Sequence, residues 1–439
     1  MVSSAFAPSI LLSLMSSLAL STQFSFVAAQ LPIPAQNTSN WGPYDPFFPV
    51  EPYAAPPEGC TVTQVNLIQR HGARWPTSGA RSRQVAAVAK IQMARPFTDP
   101  KYEFLNDFVY KFGVADLLPF GANQSHQTGT DMYTRYSTLF EGGDVPFVRA
   151  AGDQRVVDSS TNWTAGFGDA SGETVLPTLQ VVLQEEGNCT LCNNMCPNEV
   201  DGDESTTWLG VFAPNITARL NAAAPSANLS DSDALTLMDM CPFDTLSSGN
   251  ASPFCDLFTA EEYVSYEYYY DLDKYYGTGP GNALGPVQGV GYVNELLARL
   301  TGQAVRDETQ TNRTLDSDPA TFPLNRTFYA DFSHDNTMVP IFAALGLFNA
   351  TALDPLKPDE NRLWVDSKLV PFSGHMTVEK LACSGKEAVR VLVNDAVQPL
   401  EFCGGVDGVC ELSAFVESQT YARENGQGDF AKCGFVPSE

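Results

Sequence analysis

The stretch Thr61-Val62-Thr63-Gln64-Val65-Asn66-Leu67-Ile68-Gln69 runs directly into Arg70-His71-Gly72-Ala73-Arg74-Trp75-Pro76. The first nine residues alternate and are rich in Val, Leu and Ile, which predicts a buried strand. The next seven hold a glycine and a proline and read as a turn-forming loop. Beyond it Ser82 is read as the cap of a helix reaching Met93, with Val85, Val88, Ala89 and Gln92 at helical spacing. Strand, loop and helix in that order open an α/β sheet domain, and open α/β sheets place their ligands at the carboxyl ends of strands. Residues 70–74 stand at such an end.

Outward from this stretch, residues 31–59 are rich in Pro, Asn and aromatics and predict an extended arm. Residues 100–146 read as helical. Val145–Arg149 predicts a strand, followed by a helix from near Asp153, and Leu179–Leu183 predicts another strand. From 187 to 323 the chain holds short helices such as Tyr292–Leu300, whose Val293, Leu296, Leu297 and Leu300 share one face. The tyrosines between Tyr263 and Tyr276 read as core or interface. Arg326–Phe332 predicts a strand, Asp335–Leu345 a helix, and Met376–Leu381 and Val389–Val393 the strands that close the sheet. The fold class is therefore α/β. A mixed sheet domain with helices on both faces takes residues 31–104, 145–186 and 324–439, and an inserted α-helical domain takes 105–144 and 187–323.

The chain has 439 residues, 44% of them hydrophobic, enough for a sizeable core. Its 51 acidic and 25 basic side chains give a net charge of −26, which argues against nucleic acid or an anionic membrane as partner. Such self-repulsion at neutral pH suits a protein at home in acid. Residues 1–30 read as a signal peptide: Ile10–Leu20 is apolar, and Val27-Ala28-Ala29 supplies small residues for cleavage, although the n-region lacks Lys and Arg. The run is too short for a membrane span. Secretion to the extracellular space is expected, and two features agree. The 10 cysteines, Cys60, Cys189, Cys192, Cys196, Cys241, Cys255, Cys383, Cys403, Cys410 and Cys433, are even in number and predict disulfides. Asn37, Asn123, Asn162, Asn188, Asn215, Asn228, Asn250, Asn312, Asn325 and Asn349 each begin a glycosylation sequon. Cys189, Cys192 and Cys196 have metal-like spacing but no matching second half, so disulfides are the better reading.

With 4 histidines, each can be weighed. His71 lies between two arginines at a strand end. His334, in Phe332-Ser333-His334-Asp335, lies at another strand end just before a helix, where an anion meets free N–H groups and the positive helix end. Arg155 follows a third strand at a similar level. Arginine forks fit phosphate oxygens and stay charged at working pH. An imidazole can attack phosphorus, and Asp335 is the carboxyl available to protonate a leaving alkoxide. A bound phosphate dianion would keep that carboxyl protonated in mild acid. His126, in a polar helix, and His375, starting a strand near the sheet edge, are read as surface or packing residues.

Arg70-His71-Gly72-Ala73-Arg74-x-Pro76 and His334-Asp335 together resemble the two signatures of the histidine acid phosphatases. Trp41-Gly42-x-Tyr44, Cys241-Pro242-Phe243-Asp244-Thr245, Lys274-Tyr275-Tyr276-Gly277 and Gly289-Val290-Gly291-Tyr292 are similar to the fungal phytases of that family. The resemblance runs from about residue 41 to the C-terminus. It implies the histidine phosphatase fold, no cofactor, His71 as phosphorylated nucleophile and Asp335 as proton donor. Arg70, Arg74, Arg155 and His334 would hold the phosphate, and Tyr44, Arg81 and Lys274 would contact substrate. The implied substrate is myo-inositol hexakisphosphate (phytate), and similarity to the basidiomycete branch implies attack first at the 6-position. The oligomeric state is left open between a monomer and a weak homodimer. It also implies the pairs Cys60–Cys383, Cys241–Cys255 and Cys403–Cys410, with Cys433 tied to one of Cys189, Cys192 and Cys196. Related phytases carry lysine where this chain has Ala80 and Asp273, so pocket basicity would come from Arg81, Arg83 and Lys274. The rival expectations are a broad acid phosphatase and a non-catalytic phosphate-binding glycoprotein.

Overall fold

A computed structural model describes Met1, residues 40–348 and residues 351–436. The signal-peptide expectation and the sequons at Asn37 and Asn349 lie outside the described residues. The strands are β1 (Cys60–Arg70), β2 (Phe147–Ala151), β3 (Leu179–Leu183), β4 (Phe328–Ser333), β5 (His375–Cys383), β6 (Lys386–Val393), β7 (Ala396–Val397) and β8 (Val409–Glu411). They form one sheet in the order β3-β2-β4-β1-β5-β6-β7, with β8 also paired to β6. β3, β2, β4 and β1 are mutually parallel, whereas β5 runs antiparallel to β1.

The register decides where function can sit. Gln69 and Ala150 both pair with Phe332, and Ala151 pairs with Leu183. Four carboxyl ends are therefore level, and the loops after them emerge at one edge. β5 starts at that same edge, where His375 pairs with Gln69.

The main helices are α1 (Ser78–Met93), α2 (Pro119–Tyr136), α3 (Gln154–Ala170), α4 (Glu204–Ala223), α5 (Asp231–Ser248), α6 (Ala260–Gly277), α7 (Val290–Thr301), α8 (Arg313–Asp316) and α9 (Asp335–Leu345). α1 starts a turn earlier than Ser82. Thr77, extended and directly after Pro76, accepts from Ala80 N–H at 3.5 Å, while Ser82 bonds back to the Ser78 carbonyl inside the helix. α2 and α3 approach closely through Gly129 and Gly166, where an added Cβ would strike the Trp163 and His126 carbonyls. Trp163, Phe167, Phe140 and Tyr136 close this side of the sheet around Phe328. The tyrosines of α6 are largely buried, as a core reading expects.

α7 covers the other side, and every residue from Val290 to Leu300 is buried. Its apolar face is as predicted, but it also carries Glu295 and Arg299 into the interior. Arg149 of β2 donates to Asp331 of β4 at 2.8 Å and to Glu295 at 2.6 Å, and Arg299 donates to Asp331 at 2.6 Å. Two cations and two anions thus neutralise one another beneath β4.

His375 is not near a sheet edge: β5 lies between β1 and β6, the ring is buried, and it packs on Phe47 at 4.7 Å. A strand start resembles an edge in sequence, but the strands that follow cover it. His126 is a half-exposed partner of Asp169 at 3.0 Å. The disulfides are Cys60–Cys383, Cys189–Cys192, Cys196–Cys433, Cys241–Cys255 and Cys403–Cys410, which resolves the open pairing in favour of Cys196. Asn123, Asn215, Asn228, Asn250 and Asn325 are exposed, and Asn162, Asn188 and Asn312 are half-buried. Among the described residues no helix is long and apolar enough to cross a membrane.

Candidate active site

His71 is the first residue past β1 and is 1% exposed. Its Nδ1 lies 2.9 Å from the carbonyl of Gly72. A carbonyl only accepts, so Nδ1 carries the ring proton and Nε2 keeps its lone pair. Burial, then the charges of Arg70, Arg74 and Arg155, hold this imidazole well below its usual pKa. These surroundings favour its neutral form.

The loop that carries His71 is fixed from three sides. Gly72 N–H donates to Ser159 Oγ at 3.0 Å, and that hydroxyl donates to the Arg155 carbonyl at 2.7 Å. Ala73 N–H donates to Gln124 Oε1 at 3.0 Å, and Gln124 Nε2 donates to the Phe372 carbonyl at 3.3 Å. Ser373 N–H donates to the His71 carbonyl at 3.1 Å. The backbone of Gly121 lies so close to Gly72 that a Cβ there would meet Gly121 O at 2.2 Å, so only glycine fits.

Arg70 is fully buried. Its Nη1 donates to the carbonyls of Pro43 and Val370, its guanidinium lies 4.6 Å from the Phe372 ring centre, and its Nη2 sits 3.2 Å from Asp335 Oδ2. Arg74 donates to the Trp75 carbonyl at 3.0 Å. Burial and the neighbouring Arg70 bring its pKa down to about 10. Arg155 Nη2 is 2.6 Å from Asp153 and 3.4 Å from Nδ1 of His334. The His71 and His334 rings stand 5.7 Å apart, edge to face.

Asp335 opens α9. Its Oδ2 is 3.0 Å from Lys274 Nζ, which also donates to Asn336 Oδ1 at 2.6 Å. Burial alone would raise this carboxyl, but Arg70 and Lys274, with Arg74 behind them, outweigh it and hold it well below the usual carboxylate range. Free of ligand, the site thus has an ionised Asp335.

The structure brings Arg70, His71, Arg74, Arg155, His334, Asp335 and Lys274 together. Tyr44 borders the group: it packs on Phe372 at 6.1 Å, and burial raises its pKa to about 12. Arg81 points elsewhere, donating to the Phe112 carbonyl at 3.2 Å and lying over Tyr110 at 5.5 Å. Arg83 is exposed, Ala80 is buried, and Asp273 stands 3.9 Å from Lys274.

Sequence reasoning missed Ser159, Gln124, Phe372, Asp153 and Glu185, which act through contacts distant in sequence. Glu185 had a signal, being an acid just past the end of a predicted strand. Asp153, Glu185 and His334 offer ligand atoms within 4.8 Å of one another, a spacing a cation could use, yet the Arg155 guanidinium already supplies positive charge there.

The sequence profile described as "Histidine phosphatase superfamily (branch 2)" matches residues 61–394. Phytase A of Aspergillus oryzae is 41% identical over 416 residues, covering 88% of this chain and 89% of that protein. A Phytase A of Aspergillus terreus is 43% identical, covering 90% of each. Among solved structures, the phytase from D. castellii superposes with a TM-score of 0.73 at 25% identity, over 90% of this chain and 87% of that one. The multiple inositol polyphosphate phosphatase of Bifidobacterium longum, solved with inositol hexasulfate, superposes with a TM-score of 0.65 at 14% identity, over 88% and 98%, a likeness of fold.

Proposed function

The chain belongs to the histidine phosphatase superfamily, branch 2, and from that premise we propose that it hydrolyses phosphomonoesters of myo-inositol hexakisphosphate through a phosphohistidine at His71. One observation carries this reading: the His71 proton is tied to Gly72, which leaves the Nε2 lone pair free among three arginines and beside an acid.

The phosphate dianion would lie among Arg70, Arg74 and Arg155, with His334 at its edge. These guanidinium groups are in place before reaction, so charge that develops on the phosphoryl oxygens meets fixed donors. His71 Nε2 attacks phosphorus as the ester P–O bond breaks, and Asp335 gives its proton to the departing alkoxide. Water then attacks the phosphohistidine, Asp335 takes back a proton, and the P–N bond breaks to release phosphate. The ionised state of the free Asp335 fits this sequence. A bound dianion offsets Arg70 and Lys274, so Asp335 holds a proton in mild acid once substrate is present. The site then lies between the sheet domain, which gives the strand-end residues, and the helical insertion, which gives Lys274 and Gln124. Secretion and first attack at the 6-position are part of the same reading, supported by the sequence resemblance.

A broad acid phosphatase is favoured by one observation, the Asp273 carboxylate beside Lys274. The test is phosphate release with EDTA present at about pH 5, where charged arginines and a protonated acid coexist. Phytate and p-nitrophenyl phosphate are compared by kcat/KM. A strong phytate preference supports the proposal, parity supports the broad phosphatase, and no release from either overturns both.

A further inference from the structure

Beyond the His71 ring, the His334 ring meets side chains from two other strand ends, those of β2 and β3. Its chain neighbours are tied to the loop after β3: Ser333 Oγ and Thr337 Oγ1 donate to the Leu191 carbonyl at 2.7 and 3.4 Å. Those bonds do not touch the ring, whose orientation is set by its own neighbours. Its Nε2 faces Glu185 Oε1 at 3.5 Å and Asp153 Oδ2 at 3.7 Å, while its Nδ1 faces Arg155 Nη2 at 3.4 Å. A carboxylate accepts and a guanidinium donates, so this arrangement places the proton on Nε2 and the lone pair on Nδ1.

Of the two carboxylates, Asp153 is already engaged by Arg155 at 2.6 Å. Glu185 accepts from the Asp153 N–H at 3.4 Å, and its own carbonyl is held by Asn194 Nδ2. It is thus anchored at both ends and aimed at the ring. Burial raises this carboxyl, but the hydrogen bonds from His334 and the Asp153 N–H, with the Arg155 charge, bring it below its usual range.

We propose that Glu185 is a positioning residue for the phosphate site: it holds the Nε2–H edge of His334 and so turns the other ring nitrogen toward Arg155. The assignment rests on the phosphatase reading for the purpose of the site, but not for the geometry. Without Glu185 the ring can swing away, and the distance between the His334 and Arg155 sides of the cradle is no longer set. A misplacement of about 1 Å can cost on the order of 100-fold in rate.

The first experiment reads the tautomer directly. With only 4 histidines, ring nitrogen resonances of labelled protein can be assigned through a His334→Asn variant. The expected wild-type signal, at a pH where the ring is neutral, is the Nε2–H form. A predominant Nδ1–H form overturns the proposal. The second compares Glu185→Leu with Glu185→Gln, which keeps an acceptor. The leucine variant should raise the inhibition constant of inorganic phosphate about tenfold, with glutamine within about threefold of wild type. Unchanged phosphate binding in the leucine variant at unchanged Tm, or a glutamine variant as poor as leucine, overturns it. If leucine fails to fold, the wild-type tautomer and the glutamine variant still decide. Wild-type protein inactive on every phosphomonoester would sink the functional reading while leaving the tautomer measurable.

Discussion

At the scale of single residues, His71 and Asp335 are held in opposite states in the ligand-free site, and the proposed acid takes up its proton only when a phosphate dianion binds. His71→Ala should abolish turnover, checked by acid-quench trapping of the phosphoenzyme; residual turnover without a trapped intermediate would assign the nucleophile elsewhere. Asp335→Asn should cost phytate roughly 100-fold more than p-nitrophenyl phosphate, because nitrophenolate leaves without a proton. Lys274→Met should raise KM for phytate and also release Asp335 from one of the cations that hold it down. The acid form would then persist to higher pH, so the alkaline limb of the kcat profile should move upward. An unmoved limb would mean that Lys274 serves binding alone. Arg70, His71, Arg74, His334 and Asp335 were legible in the sequence because each stands by a strand end in a motif, and Arg155 because it follows a strand at the same level. The ionised state of Asp335 was not, since it depends on Lys274 arriving from α6.

At the scale of elements, the loop after β3 does more than its composition suggests. Cysteines at 189, 192 and 196 announced disulfides, but not that the Leu191 carbonyl between two of them anchors both sides of His334-Asp335. The Cys189–Cys192 ring is short, so it should contribute little to global stability through chain entropy. Replacing both cysteines by serine should lower kcat/KM several-fold, on the order of 3- to 10-fold, with a Tm change of only a few degrees. Thermal melts and steady-state kinetics on one preparation check this. A large Tm loss with normal kcat/KM would reverse the reading. The misplaced cap of α1 has a simple cause: Ser82 and Thr77 both have hydroxyls, and only the three-dimensional exit from Pro76 selects the earlier one.

At the scale of the whole molecule, buried charge sets the working range of pH. Burial raises Asp239 to about 6, Glu199 to about 7 and Asp316 to about 8. A carboxyl with a raised folded-state pKa binds more protons folded than unfolded, so stability falls as pH rises from about 4 through these values. The net charge of −26 acts in the same direction. Tm should therefore be higher at pH 5 than at pH 8 by calorimetry; the reverse order would mean these carboxyls ionise freely. Asp331 works the other way. Burial would raise it, but Arg149 and Arg299 bring it to about 2, so its contribution is lost as pH falls from about 4 through that value. Breaking this buried network with Arg299→Met should cost about 3–5 kcal/mol, read from urea unfolding. Alternation and motif order revealed the sheet and its strand ends. The four-charge network was illegible, because Arg149 and Arg299 look like surface residues until β4 and α7 close over them.

The strand that carries His71 lies between β4 and β5. During synthesis it therefore has no sheet neighbour until Phe328 has left the ribosome, and its second arrives only after His375. For most of its time on the ribosome the chain displays an unpaired apolar strand, a hazard for aggregation that calls for chaperone cover. The same delay keeps His71 apart from Asp335, so a chain that ends before β4 lacks the assembled site.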